Sequence, residues 1–361
     1  MRNDITNGRP TVQGLSIIDF HLHFRMPHDP LTRSLTGGQF GPAGTAVRSG
    51  CEEFDAGQAA RSAAVAQTSA QWRKSWDFAD PEPLSPDTGW EAEADRWTTE
   101  LDNHGIEHAA FVTAGGNDAM TALVARGTGK FLGMAAMTDP FAPGAAQEFE
   151  AAVTGGGLRG LKLFAPLASG RMDDPALDPV WDVASRHNVP VLIHFGHCGS
   201  AGGIAQNAYS NPASLERAAK TYPEVTYVIP HFGIQHVQEV LFLMWACPNV
   251  VVDTSGSNQW VRYMAQRLTL EDLFRRFYET MGPDRIVFGS DSSWFPRGFA
   301  RRYLADQLRI CWEMGMPAAE LQKVFGGNAA RLLKIEGWRP ASADAGPGNT
   351  ATANIAGRAD R

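Results

Sequence analysis

Eight short runs of apolar, largely β-branched residues recur along this chain, at 16–24, 109–114, 131–137, 158–164, 189–196, 225–233, 249–256 and 285–294. Their centres, such as VPVLIHF and RIVFGSD, are almost continuously apolar. A strand with one wet face alternates apolar and polar residues, whereas a strand covered on both faces does not. Amphipathic segments with helical spacing lie between most of the runs, for example at 175–186, 212–222 and 270–281. Strand and helix repeated to a count of eight predict an α/β chain folded as a (β/α)₈ TIM barrel. An open doubly wound sheet has similarly buried strands, so the choice rests on what ends each run.

Each of several runs ends in a metal-competent side chain. His21 and His23 close the first, in a His-Leu-His pair whose members share one face of a strand. His194 closes the fifth, in VLIHFGHCG; His231 the sixth, in VIPHFG; and Asp291 the eighth, in VFGSD. A His-x-His pair alone carries little weight, because surface and core histidines are common. Such groups at the same end of four strands are harder to produce by chance, and that end is where barrel enzymes hold their active sites. Imidazoles plus a carboxylate suit a divalent first-row ion, Zn²⁺ above all, with Mn²⁺ as an alternative.

The flanking segments IIDFHLHF, GLKLFAP, VPVLIHFG, VIPHFG, RIVFGSDSSWFP and GNAARLL resemble the amidohydrolase superfamily. They look like its amidohydrolase-related branch, which also contains lactonases and aminocarboxymuconate-semialdehyde decarboxylase-like enzymes. The resemblance spans about 16–335, apart from residues 25–97. It implies one or two divalent ions held by His21, His23, His194 and Asp291. Asp291 would also serve as base, and His231 would ligate a second ion or handle a proton. The reaction implied is attack of metal-activated water on the carbonyl of an amide, lactone or ester. The alternative is non-oxidative decarboxylation of an aromatic or enoic acid. His21 opens the His-x-His pair where hydroxybenzoate-type decarboxylases tend to carry Glu, which favours the hydrolase.

Lys162, in GLKLF at the end of the fourth run, leaves three readings open. Binuclear relatives carry a CO₂-modified, metal-bridging lysine at the matching place. A lone cation there would instead pair with a substrate carboxylate. A lysine can also simply extend its ammonium out of the barrel mouth. Arg25, His197 and Arg297 lie on loops at the same end and are further candidates for substrate contact. His28, His104, His108, His187 and His236 lie away from strand ends and are read as structural. Cys198 lacks the neighbouring base of a nucleophile.

Residues 1–340 are thus read as the barrel, including a long insertion at 25–108 between the first two strands. That insertion carries Trp72, Trp76, Trp90 and Trp97 and is either a lid over the mouth or a segment its tryptophans pin to the wall. Residues 341–361, small and polar, are read as a disordered tail. The net charge of −7 supplies no basic footprint for nucleic acid, and no phosphate-cradling glycine motif occurs between a strand and a helix. No apolar run has the length of a membrane span or signal core, and the four cysteines, Cys51, Cys198, Cys247 and Cys311, form no pair motif. A cytoplasmic enzyme for a small-molecule substrate is expected. Barrels of this kind often form homodimers, although no interface pattern is visible.

Overall fold

The computed structural model describes residues 14–26, 52–83, 89–199, 201 and 203–339. The proposed tail, His28, Cys51 and parts of the insertion lie outside the described residues. Among the described residues nine strands occur: β1 (Ile17–His23), β2 (Ile106–Thr113), β3 (Phe131–Gly133), β4 (Ala135–Ala136), β5 (Leu161–Phe164), β6 (Val191–His194), β7 (Tyr227–Ile229), β8 (Val250–Asp253) and β9 (Ile286–Val287). Every ladder is parallel. Each expected run contains a strand, and the run at 131–137 is divided into β3 and β4 at Met134.

The ladders form two sheets, β1-β2-β3 and β4 through β9, rather than one uninterrupted ring. At Met134 the chain bonds to both: Met134 N donates to Phe111 O (3.0 Å) and Ala135 N to Gly160 O (2.8 Å). On the opposite side Phe20 N donates to Phe288 O (3.0 Å), Asp291 N to His21 O (2.9 Å) and His23 N to Ser292 O (2.9 Å). The last strand and its loop therefore lie beside the first, and the architecture is that of a TIM barrel.

Strand parity divides the core. Ile18, Phe20, Ala110, Val112, Leu192, Val228, Val251 and Val287 form an inner cluster, closed at the bottom by Ala329, Ala330, Leu332 and Leu333. The intervening residues, such as Leu161, Leu163, Val191, Ile193, Val250 and Val252, join the larger layer beneath the helices. This is why the runs look apolar throughout: both faces are covered.

Helix boundaries follow local chemistry. The segment Leu270–Met281 buries Leu270, Leu273, Phe274 and Phe277, one helical face. Thr269 caps it reciprocally with Asp272, each side chain meeting the other's backbone N–H at 3.0 and 2.8 Å. In the insertion, α1 (Glu52–Ser75) leads into 76–83, and α2 (Gly89–Asn103) buries Ala94, Trp97 and Leu101 against the barrel. Trp97 meets Phe111 and Phe295, with centroids 6.0 and 4.8 Å away. Trp72 and Trp76 pack instead around Phe78, Trp294 and Tyr303.

Candidate metal centre

The inner face of the barrel becomes polar at its C-terminal end. Leu192 belongs to the inner cluster, so His194, two residues on, points the same way. Val251 places Asp253 by the same step, and Lys162 shares that face because it pairs in register with Leu192. β1 departs from simple alternation. Ile18 and Phe20 face inward, and a register irregularity between Asp19 and Leu22 then lets His21 and His23 face the site instead. The pairing of the two histidines thus needs a bulge that residue spacing alone does not reveal.

Among the described residues, His21, His23 and Asp291 bring one ligand atom each to within 4.8 Å of one another. His21 Nε2 lies 3.3 Å from His23 Nε2, and His23 Nε2 lies 3.3 Å from Asp291 Oδ1. The partners of the remaining ring nitrogens fix which atoms face inward. His21 Nδ1 lies 2.7 Å from Asp253 Oδ2 and donates to it, leaving a lone pair on Nε2. His23 Nδ1 lies 2.7 Å from Thr113 Oγ1. Burial lowers the His21 pKa to about 3, overcoming the attraction of Asp253, so the ring is neutral at pH 7. Its contact with Asp253 is therefore a hydrogen bond from a neutral imidazole to a carboxylate. Burial alone would raise the pKa of Asp291, but the hydrogen bond with His23 and the nearby imidazoles hold it below the usual carboxylate range. Neutral imidazole nitrogens and an ionised carboxylate are the donor set a catalytic first-row ion requires, so these residues fit a divalent metal.

The other candidates surround this trio. His194 and His231 lie with ring centroids 5.1 Å apart, and His231 is 5.2 Å from His21. His194 Nε2 donates to the carbonyl of His197 at 2.7 Å, so its lone pair is on Nδ1. Burial, with His231 and Lys162 adding to it, holds the His194 pKa well below its ordinary value. His231 Nδ1 donates to Ser255 O at 2.6 Å, so its lone pair is on Nε2. Two of these groups have strained backbones, His231 at φ 59° and Asp291 at φ 60°. Left-handed non-glycine residues tend to persist where function holds them.

Lys162 is fully buried, and its Nζ has no hydrogen-bond partner among the described residues. It sits 4.6 Å above the Phe164 ring. Burial lowers its pKa to about 8, against the opposing pull of Asp253 and Asp291. Arg297 donates to Asp291 O and stacks on Trp294. Arg25 donates to Glu82 O at 3.2 Å, and His197 N donates to Gln235 Oε1 at 3.0 Å. The histidines read as structural are placed elsewhere: His104 beside Glu100, His108 on Gly129 O, His187 on Glu150 and His236 near Glu239. Cys198, Cys247 and Cys311 are buried free thiols.

Sequence reasoning missed Asp253, Thr113, Ser255 and Asp19. Asp253 had a usable signal, since VVVD ends its run as VLIH ends that of His194. Asp19 is buried, and its Oδ1 accepts from His21 N at 3.1 Å and Ser290 N at 3.0 Å, tying β1 to the loop that carries Asp291.

The model of the amidohydrolase family matches residues 18–335, which covers every strand except the first residue of β1. The chain belongs to the amidohydrolase family. It is 32% identical over 169 residues to protein fluG of Emericella nidulans, a match covering 43% of this chain and only 18% of that protein's length. Solved structures share the fold at low identity. A TIM-barrel protein of Bordetella bronchiseptica is 19% identical, with TM-score 0.58, over 89% of this chain and 99% of that one. The 5-carboxyvanillate decarboxylase of Novosphingobium aromaticivorans, solved with manganese and a nitrobenzoic acid, is 16% identical, with TM-score 0.56, over 90% and 98%. A probable 2-pyrone-4,6-dicarboxylic acid hydrolase of Acinetobacter baumannii is 15% identical, with TM-score 0.53, over 89% and 100%. Within this amidohydrolase chain, no described helix is long and apolar enough to cross a membrane.

Proposed function

We propose that this amidohydrolase is a metal-dependent hydrolase that directs water at the carbonyl carbon of an amide, lactone or ester. The observation carrying the reading is the convergence of His21 Nε2, His23 Nε2 and Asp291 Oδ1, with an ionised carboxylate among them. His21, His23 and Asp291 would hold the divalent ion, with His194 offering Nδ1 as a further ligand. Such an ion supplies Lewis acidity, which polarises a carbonyl oxygen and acidifies water. The chain's own residues then move the proton. Asp291 accepts it from the attacking water. His231, with Nδ1 committed to Ser255 O, presents Nε2 to carry it to the leaving group.

One observation favours a second reading. Lys162 is a buried cation without a hydrogen-bond partner among the described residues, on the face that carries His194 and Asp253. An unpaired buried ammonium is costly and suits a substrate carboxylate. The fold relatives named above include a decarboxylase and a hydrolase, both of carboxylic acids. Non-oxidative decarboxylation of an aromatic or enoic acid would use the same residues, with Lys162 pairing the acid's carboxylate beside the ion that His21, His23 and Asp291 would hold.

The test is metal analysis of protein purified without added metal, followed by a panel of amides, lactones and esters beside aromatic and enoic acids. At least one divalent ion per chain and hydrolysis of a panel member are expected. His21→Ala should lose ion and activity together, and Asp291→Asn should lower turnover by roughly 10²–10⁴-fold. Release of CO₂ without any hydrolysis would move the assignment to the decarboxylase. Failure to bind Zn²⁺ or Mn²⁺ on reconstitution would overturn the metal centre itself.

A further inference from the structure

We infer that Asp253, in the turn Asp253–Thr254–Ser255, is the positioning residue that sets the orientation and tautomer of His21 directly and those of His231 through the Ser255 carbonyl and the His231 backbone N that its turn holds, so that metal affinity depends on a carboxylate that is not a ligand. The inference rests on the proposed metal centre and deepens it.

The turn follows β8, which β9 alone separates from β1. Asp253 is fully buried and receives hydrogen bonds on both oxygens. Oδ2 takes His21 Nδ1 at 2.7 Å. Oδ1 takes Ser255 N at 2.9 Å, His231 N at 3.1 Å and the Ser255 hydroxyl. The next carbonyl but one, Ser255 O, takes His231 Nδ1 at 2.6 Å. Ser255 Oγ lies between the two rings, 3.0 Å from His21 Nδ1 and 2.9 Å from His231 Nδ1. One three-residue turn thus occupies the Nδ1 side of two histidines, His21 on β1 and His231 in the turn that follows β7.

The consequences follow from which atoms can accept. A carboxylate and a carbonyl cannot donate, so both rings carry their proton on Nδ1 and both direct the Nε2 lone pair to the site. The bond from His231 N also braces an unusual backbone. His231, Phe232, Gly233 and Ile234 all have positive φ, at 59°, 50°, 85° and 52°, a run that isolated chains avoid. Without the Oδ1 acceptor, the first of these residues loses a buried bond that helps hold it there. Carboxylates behind metal-binding histidines typically account for ~10–100-fold in affinity when replaced.

Asp253→Asn keeps the size but presents an amide NH₂ to donors on one side, so it cannot serve both His21 and the Ser255–His231 group. The experiment titrates Zn²⁺ into metal-free wild type, Asp253→Asn and Ser255→Ala, with thermal unfolding of each metal-free protein alongside. Imidazole ¹⁵N shifts of the metal-free wild type report the tautomers directly. Asp253→Asn is expected to weaken Zn²⁺ binding by ~10–100-fold. Ser255→Ala, which keeps the carbonyl that holds His231, is expected to weaken it less than Asp253→Asn does. The shifts should show Nδ1–H at His21 and His231. Equal Zn²⁺ affinity in wild type and a folded Asp253→Asn overturns the inference while leaving the metal centre standing. If Asp253→Asn does not fold, an Nε2–H tautomer at either ring overturns it on the wild type alone. A wild type that binds no Zn²⁺ brings down the metal centre and this inference with it, a failure distinct from the first.

Discussion

Arg297 donates from Nη2 to the backbone oxygen of Asp291 at 2.7 Å, while its guanidinium lies 3.7 Å from the centroid of Trp294 and 5.2 Å from that of Phe78. Asp291 N is held from the other side by His21 O at 2.9 Å. The left-handed backbone that aims the Asp291 carboxylate is thus fixed by β1 from within and by Arg297 from without. Phe78 belongs to the insertion, as do Trp72 and Trp76, which pack on Trp294 and Tyr303. Among the described residues, the insertion therefore reaches the metal centre through Arg297, and meets the residue two beyond His23 where Arg25 donates to Glu82 O.

This chain of contacts predicts that Arg297→Lys lowers turnover more than stability. Lysine keeps the charge but loses the planar surface that stacks on Trp294 and fixes the donor. A displacement of about 1 Å at a reacting group can cost ~10²-fold in rate, so a fall of 10-fold or more in kcat is expected. Phe78→Ala should shift kcat in the same direction by less. Steady-state kinetics beside thermal melts decide the matter: unchanged kcat in a metal-loaded Arg297→Lys protein would remove the link between insertion and site.

Gly256 makes a second, steric demand. Its φ is +61°, and a Cβ there would stand 3.0 Å from Asp291 Oδ2 and 3.4 Å from His231 Nδ1. Gly256→Ala therefore meets two penalties. The left-handed backbone costs about 1–2 kcal/mol for a residue with a Cβ, and the methyl presses on a ligand and on a proton carrier. A lower melting temperature and a larger proportional loss of metal affinity are expected. A variant that loses stability but binds Zn²⁺ as tightly as the wild type would show that the approach to Asp291 is tolerated.

Much of this was legible in the sequence because it depends on periodicity. The fold follows from apolar runs that need cover on both faces, and His194 and Asp291 stand at run ends where parity is easy to count. The remainder depends on contacts between distant segments. His21 and His23 face the site through a bulge in β1, set by pairing with β2. Asp253 reaches His21 across 232 positions, and Thr113 reaches His23 across 90. The acidic end of the seventh run was visible in VVVD, but its partner was not, because no local spacing links β8 to β1. Arg297 is the sharpest example. Its place on a loop beside the barrel mouth can be read from the sequence, but not the Asp291 carbonyl and the Trp294 and Phe78 rings that engage it.

Lys162 provides a prediction with a definite sign. Burial lowers its pKa from 10.5 to about 8, with Asp253 and Asp291 opposing the shift. The unfolded chain binds this proton more tightly than the folded one, so the buried ammonium destabilises the fold wherever both states are protonated. Below pH 8 that cost is fully present. As pH rises from about 8 toward 10.5, the folded lysine loses its proton first, and folding becomes more favourable. Above 10.5 the cost is gone. At about 1.4 kcal/mol per pKa unit the penalty near pH 7 is on the order of 3 kcal/mol. Lys162→Met removes it while filling a similar volume. The metal-free variant should be more stable than wild type at pH 7, and the difference should shrink by pH 10. Denaturant unfolding of both proteins at the two pH values tests this, and taking the difference cancels the other groups that titrate there. A variant less stable than wild type by the same amount at both values would mean that Lys162 is not a bare ammonium in the folded protein. Intact-mass analysis would then be expected to show a CO₂ adduct on the wild type that Lys162→Met lacks.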